Sequence, residues 1–408
     1  MPLNPAAPHG PAIRRCPKAG ACAVFGGGNT LQELHTGDVF AVCSAFALHG
    51  TPVSAEPFGN GHINDTFRVR TQDADGQATE YILQRINTSI FRDPLAVMRN
   101  IRAVTEHVAQ RIRARGGDAL RQTLTVVSAR DGAPCHFDPD GGCWRADLMI
   151  TDSVSHDTAD SPEMFESAAR TFGEFFMDLD DFPAGQLSET IPLFHNTPNR
   201  LRQFEEAVAR DAAGRAQGVQ REIADVRAFA GETGYLTDRL ADGRLPLRVT
   251  HNDTKLNNIL FDSRTNEGLC VIDLDTVMPG LTAYDFGDAI RVGGNTADEG
   301  DPDISHVSIS IPNFTAFARG FLSAVHGVIT DEETASLVMG AKLMTWECAS
   351  RFLADYLNGD VYFKIHYPTQ NLDRARNQIA LVQDIERHQA QLEAIIESVL
   401  REVRGGKD

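Results

Sequence analysis

Residues 251–261, His251-Asn252-Asp253-Thr254-Lys255-Leu256-Asn257-Asn258-Ile259-Leu260-Phe261, constrain this chain more than any other stretch. They lie between the strand-like run Arg248-Val249-Thr250 and a second strand, so their polar side chains occupy a short loop. Asp253 stands five positions before Asn258, which reproduces the spacing H-x-D-x-x-x-x-N. Phosphoryl transfer to a hydroxyl needs a carboxylate to orient the nucleophile and receive its proton. It also needs oxygen ligands that hold Mg²⁺ against the phosphates. Asp253 fits the first role and Asn258 the second, while Lys255 is placed to offset charge on the group in transit. A second block, Val271-Ile272-Asp273-Leu274-Asp275, puts Asp273 twenty residues after Asp253 and just past a strand, where the other metal ligand belongs. The literal Asp285-Phe286-Gly287 follows Pro279-Gly280-Leu281-Thr282 instead of a strand, so Asp285 and Asp288 read as braces for the loop or caps for the next helix. A single Asp beside Lys or Asn is commonly a turn, but two such blocks in order and correctly spaced are hard to obtain by chance.

The rest of the chain supplies a scaffold for that loop. Residues 30–50 carry Leu31, Leu34, Val39, Val42 and Phe46 near helical period. Phe67-Arg68-Val69 and Tyr81–Ile86 read as strands joined through Asp75-Gly76 as a hairpin. Asp93-Pro94 opens a helix with the stripe Leu95, Met98, Ile101, Val104 and Val108. Further strands are expected at Leu124–Ala129 and Trp144–Ile150. From Pro162 the pattern turns helical: Met164–Leu179, Asn199–Ala213, Glu222–Leu240, Ile311–Val325, Asp331–Leu357 and Asn371–Val403. Only the strand-like segments at 248–250 and 269–272 interrupt it. Strands first and helices after give an α+β fold of two lobes, a small antiparallel-sheet N-lobe and a mostly helical C-lobe. The expected division is an N-terminal extension without stable structure at 1–29, a nucleotide-binding lobe at 30–152 and a catalytic and substrate lobe at 153–408.

Composition narrows the partners. A net charge of −18 disfavours a broad nucleic-acid surface, yet leaves room for a nucleotide held by a few local cations and a metal. No run of about 18 apolar residues implies a membrane span. The seven cysteines are scattered and odd in number, and Cys16 and Cys22 lack a second pair to complete a zinc site; a reduced, cytoplasmic setting fits. No G-x-x-x-x-G-K-[ST] loop, G-x-S-x-G elbow or H-E-x-x-H motif occurs, which argues against a P-loop enzyme or a hydrolase.

The blocks at 251–261 and 271–291 resemble the aminoglycoside phosphotransferase and choline kinase superfamily, which has a protein-kinase-like fold. Gly59-Asn60-Gly61-His62-Ile63-Asn64-Asp65-Thr66-Phe67, Leu83-Gln84-Arg85-Ile86-Asn87, and the segments 351–357 and 359–363 narrow the resemblance to the bacterial N-acetylhexosamine 1-kinases. That resemblance implies ATP-dependent phosphorylation of the anomeric hydroxyl of N-acetylglucosamine or N-acetylgalactosamine. Asp253 is then the base, Asn258 and Asp273 the Mg²⁺ ligands, and His62, Asp253, Arg351 and Tyr362 the sugar contacts. The segment Gly59-Asn60-Gly61 is a turn that can bring backbone N–H groups close to phosphate, or an ordinary hairpin turn.

One departure from the superfamily pattern stands out. Gln84-Arg85 occupies the third strand where a phosphate-gripping lysine is usual. Neighbouring strand residues face opposite ways, so one of the two reaches the nucleotide; Arg85 supplies a cation, with Glu106 as a possible ion-pair partner or as a solvated helix charge. Arg351 and Tyr362 can hydrogen-bond a sugar; alternatively Arg351 pairs with Asp355 and Tyr362 packs in the core. Adenine is expected near Leu148–Thr151, through backbone. Two other readings compete: the same chemistry on choline, an aminoglycoside, methylthioribose or another sugar, and a nucleotide-binding pseudokinase, which the missing lysine motivates. The sequence leaves the oligomeric state open.

Overall fold

A computed structural model describes residues 36–59 and 64–405, and the span Thr36–Gly405 belongs to one compact unit. The expectations for residues 1–29, for the start of the 30–50 helix, and for Asn60, Gly61 and His62 lie outside the described residues. The first described helix, α1 (Thr36–Cys43), ends seven residues before the expected end at residue 50. After it the chain turns to bridge Phe46 to Ala129.

Strands β1 (Thr51–Pro57), β2 (Asp65–Gln72) and β3 (Ala78–Ile86) follow, then α2 (Pro94–Ala114), α3 (Ala119–Gln122), β4 (Val126–Val127), β5 (His136–Phe137) and β6 (Cys143–Leu148). All these strands pair antiparallel in the order β1-β2-β3-β6-β4, with β5 also on β6. Strand β1 carries two prolines, which hides it from a propensity reading; both sit on an edge strand, where proline costs the ladder least. The strand expected at Leu124–Ala129 shrinks to Val126–Val127. Helix α2 starts as its sequence dictates: the Asp93 carboxylate accepts the Ala96 N–H at 2.9 Å and Pro94 fills the first turn. Such a cap contributes about 1 kcal/mol. The α2 stripe, with Met98, Ile101, Val104 and Val108 buried, packs into the large core that Ile86 and Cys143 join from the sheet.

After β7 (Ser153–Val154) come α4 (Pro162–Asp178), α5 (Thr197–Arg210), α6 (Gln220–Ala228) and α7 (Tyr235–Ala241). The last two were expected as one helix, Glu222–Leu240; the chain instead breaks through Phe229–Gly234, where two glycines interrupt the helical run. Next are β8 (Arg248–Thr250), β9 (Ile259–Asp262), β10 (Gly268–Val271), β11 (Met278–Gly280) and α8 (Thr282–Gly293). Helices α9 (Ile311–Val325), α10 (Asp331–Ala335), α11 (Leu337–Asn358) and α12 (Gln370–Gly405) complete the chain. The single helix expected over Asp331–Leu357 also divides, at Ser336, after a Thr330–Glu333 capping box. Among the described residues no helix is long and apolar enough to cross a membrane.

Two features hold the 251–258 loop in place. Strands β8 and β11 pair as a two-stranded ribbon, with Thr250 opposite Met278. Helix α8 lies against α11 so closely that a Cβ on Gly287 would meet the Gly340 carbonyl, and one on Gly340 the Ala283 carbonyl. The phenyl ring of Phe286, fully buried, packs edge-on against Phe314, Phe317 and Phe321 at centroid distances of 5.9, 5.4 and 5.8 Å. The literal Asp285-Phe286-Gly287 is therefore the interior of a core helix whose position is fixed by packing.

Candidate active site

Five of the eight backbone donors from His251 to Asn258 have an acceptor among the described residues, and α8 provides three of them. The Asp285 carboxylate accepts the N–H groups of His251 (2.9 Å) and Asn252 (2.7 Å). Asp288 accepts from Thr254 N–H (3.0 Å), and the Thr254 hydroxyl donates to the Asp285 carbonyl (2.5 Å). On the opposite side Thr276 Oγ1 donates to the His251 carbonyl and Asn252 Nδ2 to the Thr276 carbonyl. These bonds hold Asn252 at φ +65°, a left-handed conformation that Asn tolerates better than most residues and that turns Asp253 outward. Burial pushes the Asp285 carboxyl up, and its two N–H donors and His251 offset this only in part.

Asp253 sits at the tip of this loop. Lys255 Nζ is 2.6 Å from its Oδ1, and Asn258 Nδ2 donates both to the Asp253 carbonyl (2.8 Å) and to its Oδ2 (3.1 Å). Burial opposes the charge on Asp253, yet Lys255 outweighs it and holds the carboxyl below the usual carboxylate range. The same pairing raises the Lys255 ammonium. The Asn258 amide donates to Asp253, and its Oδ1 accepts no hydrogen bond among the described residues.

Asp273 reaches the same place from β10. Ile272 N–H donates to the Asn258 carbonyl (2.9 Å), and the His251 imidazole Nε2 lies 2.9 Å from the Ile272 carbonyl. Asp273 then takes φ +58°, swinging its side chain away from the strand line. Burial, with Asp275 and Asp253 nearby, pushes the Asp273 carboxyl up to about 6. Among the described residues no hydrogen bond reaches that carboxylate. A carboxylate beside two others, with no hydrogen-bond donor among the described residues, together with an amide oxygen that accepts no hydrogen bond among them, is a donor set that fits a hard cation. Among the described residues no group of three or more His, Cys, Asp and Glu encloses a metal by itself. That suits Mg²⁺, which takes one or two protein ligands and completes its shell with water and phosphate oxygens.

The structure divides the two candidates on the third strand. Gln84 lies on the side of the sheet that faces Asp275, while Arg85 lies on the other. The Arg85 guanidinium sits 6.0 Å from the Trp144 ring centroid and beside Asp138, so it is turned away from Asp253 and Asp273. Strand alternation dictates the split. Glu106 pairs with Arg102 (2.8 Å) in solvent and not with Arg85. On the inner side the sequence reading missed Arg145, which stands opposite Gln84 on β6. Arg145 is 4 % exposed, donates from Nε to Gln84 Oε1 (2.8 Å) and forms an ion pair with Asp275. Gly59, the first residue of the proposed phosphate turn, has φ +78° with open space around it, as a close approach to a ligand would need.

The predicted acceptor residues Arg351 and Tyr362 do meet. The Arg351 guanidinium carbon lies 5.7 Å from the Tyr362 ring, 5.3 Å from Phe363 and 6.0 Å from Phe194. Asp355, the alternative partner, is occupied otherwise: it accepts the N–H groups of Val361, Tyr362 and Phe363 and the amide of Asn371. Tyr362 is 57 % exposed, so it is not a core residue. The carboxylate that Arg351 faces is Glu347, at 3.7 Å. Glu347 also meets Arg200 (3.4 Å) and the His195 imidazole (3.3 Å), whose other nitrogen lies 3.3 Å from the carbonyl of Asn252. Burial opposes charge on both His195 and Glu347, but each stabilises the other, so His195 is raised and Glu347 lowered. His195, Arg200 and Glu347 escaped the sequence reading because no motif spacing joins residues 195, 200 and 347. Sequence offers only a weak signal, Glu347 standing one helical turn before Arg351.

A cavity of about 470 Å³ opens at the Leu148–Thr151 segment, lined also by Arg70, Glu80, Leu120 and Arg121. None of Asp253, Asn258 or Asp273 lines it.

Comparison with known proteins agrees with this arrangement. The sequence profile of a phosphotransferase enzyme family matches residues 54–306, more than half of the chain. Among solved structures, a microcompartment-associated aminopropanol kinase superposes with a TM-score of 0.55 at 17% identity, covering 87% of this chain and 98% of that one. A spectinomycin phosphotransferase, in complex with ADP and spectinomycin, gives 0.54 at 11% identity over 88% and 100%. Choline kinase from Cryptosporidium parvum Iowa II gives 0.53 at 12% identity over 85% and 93%. At these identities the likeness establishes the fold, which is protein-kinase-like, with an antiparallel sheet in the first part and helices in the second.

Proposed function

Since the chain belongs to the phosphotransferase enzyme family, whose members act on hydroxyl groups of small molecules, we propose that it transfers the γ-phosphoryl group of ATP to the anomeric hydroxyl of an N-acetylhexosamine. In this reading the nucleotide sits under the sheet of a lobe spanning 30–152, and the sugar lies against a catalytic lobe spanning 153–408. Asn258 Oδ1 and Asp273 would hold Mg²⁺, which supplies charge neutralisation at the phosphates.

Asp253 accepts a hydrogen bond from the sugar C1 hydroxyl and aims its oxygen at the γ-phosphorus. A bond forms between that oxygen and phosphorus, the bond from phosphorus to the β–γ bridging oxygen breaks, and ADP leaves with the electron pair. The hydroxyl proton passes to Asp253. Because Lys255 lowers its pKa, Asp253 is a weak base, so its main work is orientation and the proton arrives late. Lys255 can swing from Asp253 toward the oxygens of the group in transit.

The observation that carries the acceptor class is the guanidinium of Arg351. It has no hydrogen-bond acceptor among the described residues, since Glu347 at 3.7 Å is beyond hydrogen-bond length, and it lies against Tyr362 and Phe194. A cation with unspent donors repels an amine acceptor and welcomes hydroxyl and carbonyl oxygens. This favours a neutral sugar with an acetamido group over choline, ethanolamine or a polyamine antibiotic. The test is a panel of N-acetylglucosamine, N-acetylgalactosamine, glucose, choline and an aminoglycoside with Mg-ATP, the new phosphate located by ³¹P and ¹³C NMR. A C1 phosphate on an N-acetylhexosamine is expected. Preference for a cationic acceptor, or a phosphate at another carbon, overturns the proposal.

A further inference from the structure

We infer that Arg145 is the cation that grips the nucleotide phosphates, delivered from the strand next to the one where such a cation is normally sought. The inference rests on the nucleotide reading above and names a residue that neither sequence spacing nor that reading assigns. Gln84 and Arg145 are direct partners across β3 and β6, so their side chains emerge on the same face of the sheet. That face looks toward Asp275 and the Asp273 loop; the opposite face takes Arg85 and Trp144. Of the three cations on the inner face, Arg68 is spent on Glu80 (2.7 Å) and Glu56, and Arg70 lines the cavity at Leu148–Thr151, which none of Asp253, Asn258 or Asp273 lines. Arg145 alone is packed against the carboxylates of the candidate metal site.

Its surroundings hold it ready without consuming it. Nε is bonded to Gln84, Nη1 to Asp275, and Nη2 has no partner among the described residues. Gln84 is itself fixed by its amide, which donates to Thr66 Oγ1 on β2 (2.9 Å). Asp275 also accepts from Asn64 Nδ2 (2.6 Å), and Asn64 Oδ1 accepts the Asn87 N–H (2.9 Å). Asn64 immediately precedes β2. One chain of contacts thus joins Asn64, strand β3, strand β6 and the loop carrying Asp273, with the guanidinium at its centre. A planar fork with an unspent donor, held at a cleft beside a metal-type carboxylate, suits two phosphate oxygens.

The test separates the β-phosphate from the rest of the nucleotide. The full chain and its R145Q variant are titrated calorimetrically with AMP and with ADP, each with Mg²⁺. We expect R145Q to bind ADP about ten- to a hundredfold more weakly, the size of one charge-assisted hydrogen bond, with AMP within about threefold of the unmodified chain. The exchange Q84R/R145Q, which returns the guanidinium from the neighbouring strand, should restore most of the ADP affinity. Equal losses for AMP and ADP would mean a merely structural role, and undiminished ADP binding would mean none; either result overturns the inference. If R145Q loses its melting transition, R145Q/D147N/D275N, which removes both buried carboxylates that Arg145 offsets, is measured by the same criterion. Failure of the unmodified chain to bind Mg-ADP refutes the nucleotide reading itself, whereas normal binding with an indifferent R145Q refutes only the role of Arg145.

Discussion

Exchanging Asp285 and exchanging Asp273 should have opposite consequences, although both lie in segments that read like a metal-binding Asp. Asp285 is buried in α8, and its two carboxylate oxygens take the N–H groups of His251 and Asn252 at 2.9 and 2.7 Å. In D285A both amides lose their acceptor in a site closed to water. At about 1–3 kcal/mol for each orphaned donor, the loss is about 2–6 kcal/mol. D285N keeps one oxygen and points an amide at the other donor, so about half that loss is expected. At about 2.1 cal/mol/K of unfolding entropy per residue over 408 residues, 1 kcal/mol moves Tm by roughly 1 °C, which puts the D285N shift at roughly 1–4 °C. Asp273 accepts no hydrogen bond from the described residues and lies near the like charges of Asp275 and Asp253. D273N relieves that crowding, so its Tm should hold or rise while Mg²⁺-dependent nucleotide binding disappears. Differential scanning fluorimetry, paired with calorimetric titration of ADP with and without Mg²⁺, reads both quantities. A D285N protein with normal Tm and no Mg²⁺-dependent binding would refute the reasoning, as would a D273N protein that melts early but binds Mg-ADP normally.

Asp253→Asn should lower kcat by several orders of magnitude, on the order of a thousandfold or more, while Mg-ADP affinity stays within a few-fold; near-normal turnover in steady-state assays would exclude Asp253 as the orienting group. Asp147 is pushed up to about 6 by burial, against the pull of Arg145, and one of its carboxylate oxygens has no hydrogen-bond partner. Its fold-induced penalty is absent at pH below the unfolded value near 4, grows as pH rises and is complete above about 6. D147N should therefore melt higher than the unmodified chain at pH 8, by an amount on the order of 3 kcal/mol or less, with the gap closing near pH 4. A gap that does not vary over a Tm series from pH 4 to 8 would contradict this. Gly340→Ala forces a Cβ into the Ala283 carbonyl and should cost about 1–3 kcal/mol or more in thermal or urea unfolding. Because α8 carries Asp285 and Asp288, kcat should fall with it, and an unchanged Tm would count against the tight α8–α11 contact.

How much of this could be read from sequence depends on whether local rules govern each feature. Asp93-Pro94 announced α2, and the alternation through Tyr81–Ile86 announced β3, because caps and strand periods act within a few residues. The division of α6 from α7 and of α10 from α11 was harder, since the apolar period runs through both breaks and only glycines or a serine mark them. In the site, Asp253, Asn258 and Asp273 were visible because each sits at a fixed spacing within a strand-bounded loop. Arg145 was not: its meaning comes from register, the fact that β6 lies beside β3 with residue 145 opposite residue 84. Sixty residues of intervening chain carry no local trace of that pairing. Arg85 drew attention as the nearest cation in sequence, and strand alternation had already limited it to one side or the other.

The charges also sort themselves across the site in a way that bears on both substrates. Around Asp253 and its neighbours stand Asp273, Asp275, Asp147, Asp288 and Glu299, with Lys255, Arg145 and Arg291 as the opposing cations. Carboxylates exceed cations there, so a polyanionic nucleotide needs a divalent cation to enter, and the crowding of Asp273 by its neighbours is energy that such a cation relieves. At the other end His195, Arg200 and Arg351 converge on the single carboxylate of Glu347, so cations are in excess. An ammonium-bearing acceptor entering from that side would meet guanidinium groups before it reached Asp253, and would leave them unpaired. A neutral polyhydroxylated acceptor can take their N–H groups on its oxygens and keep Glu347 fully shared. Removing Glu347 would unbalance the cluster, which is why the fold spends a buried carboxylate there. Under the proposed function, the same asymmetry would draw Mg-nucleotide to one end and filter acceptors at the other.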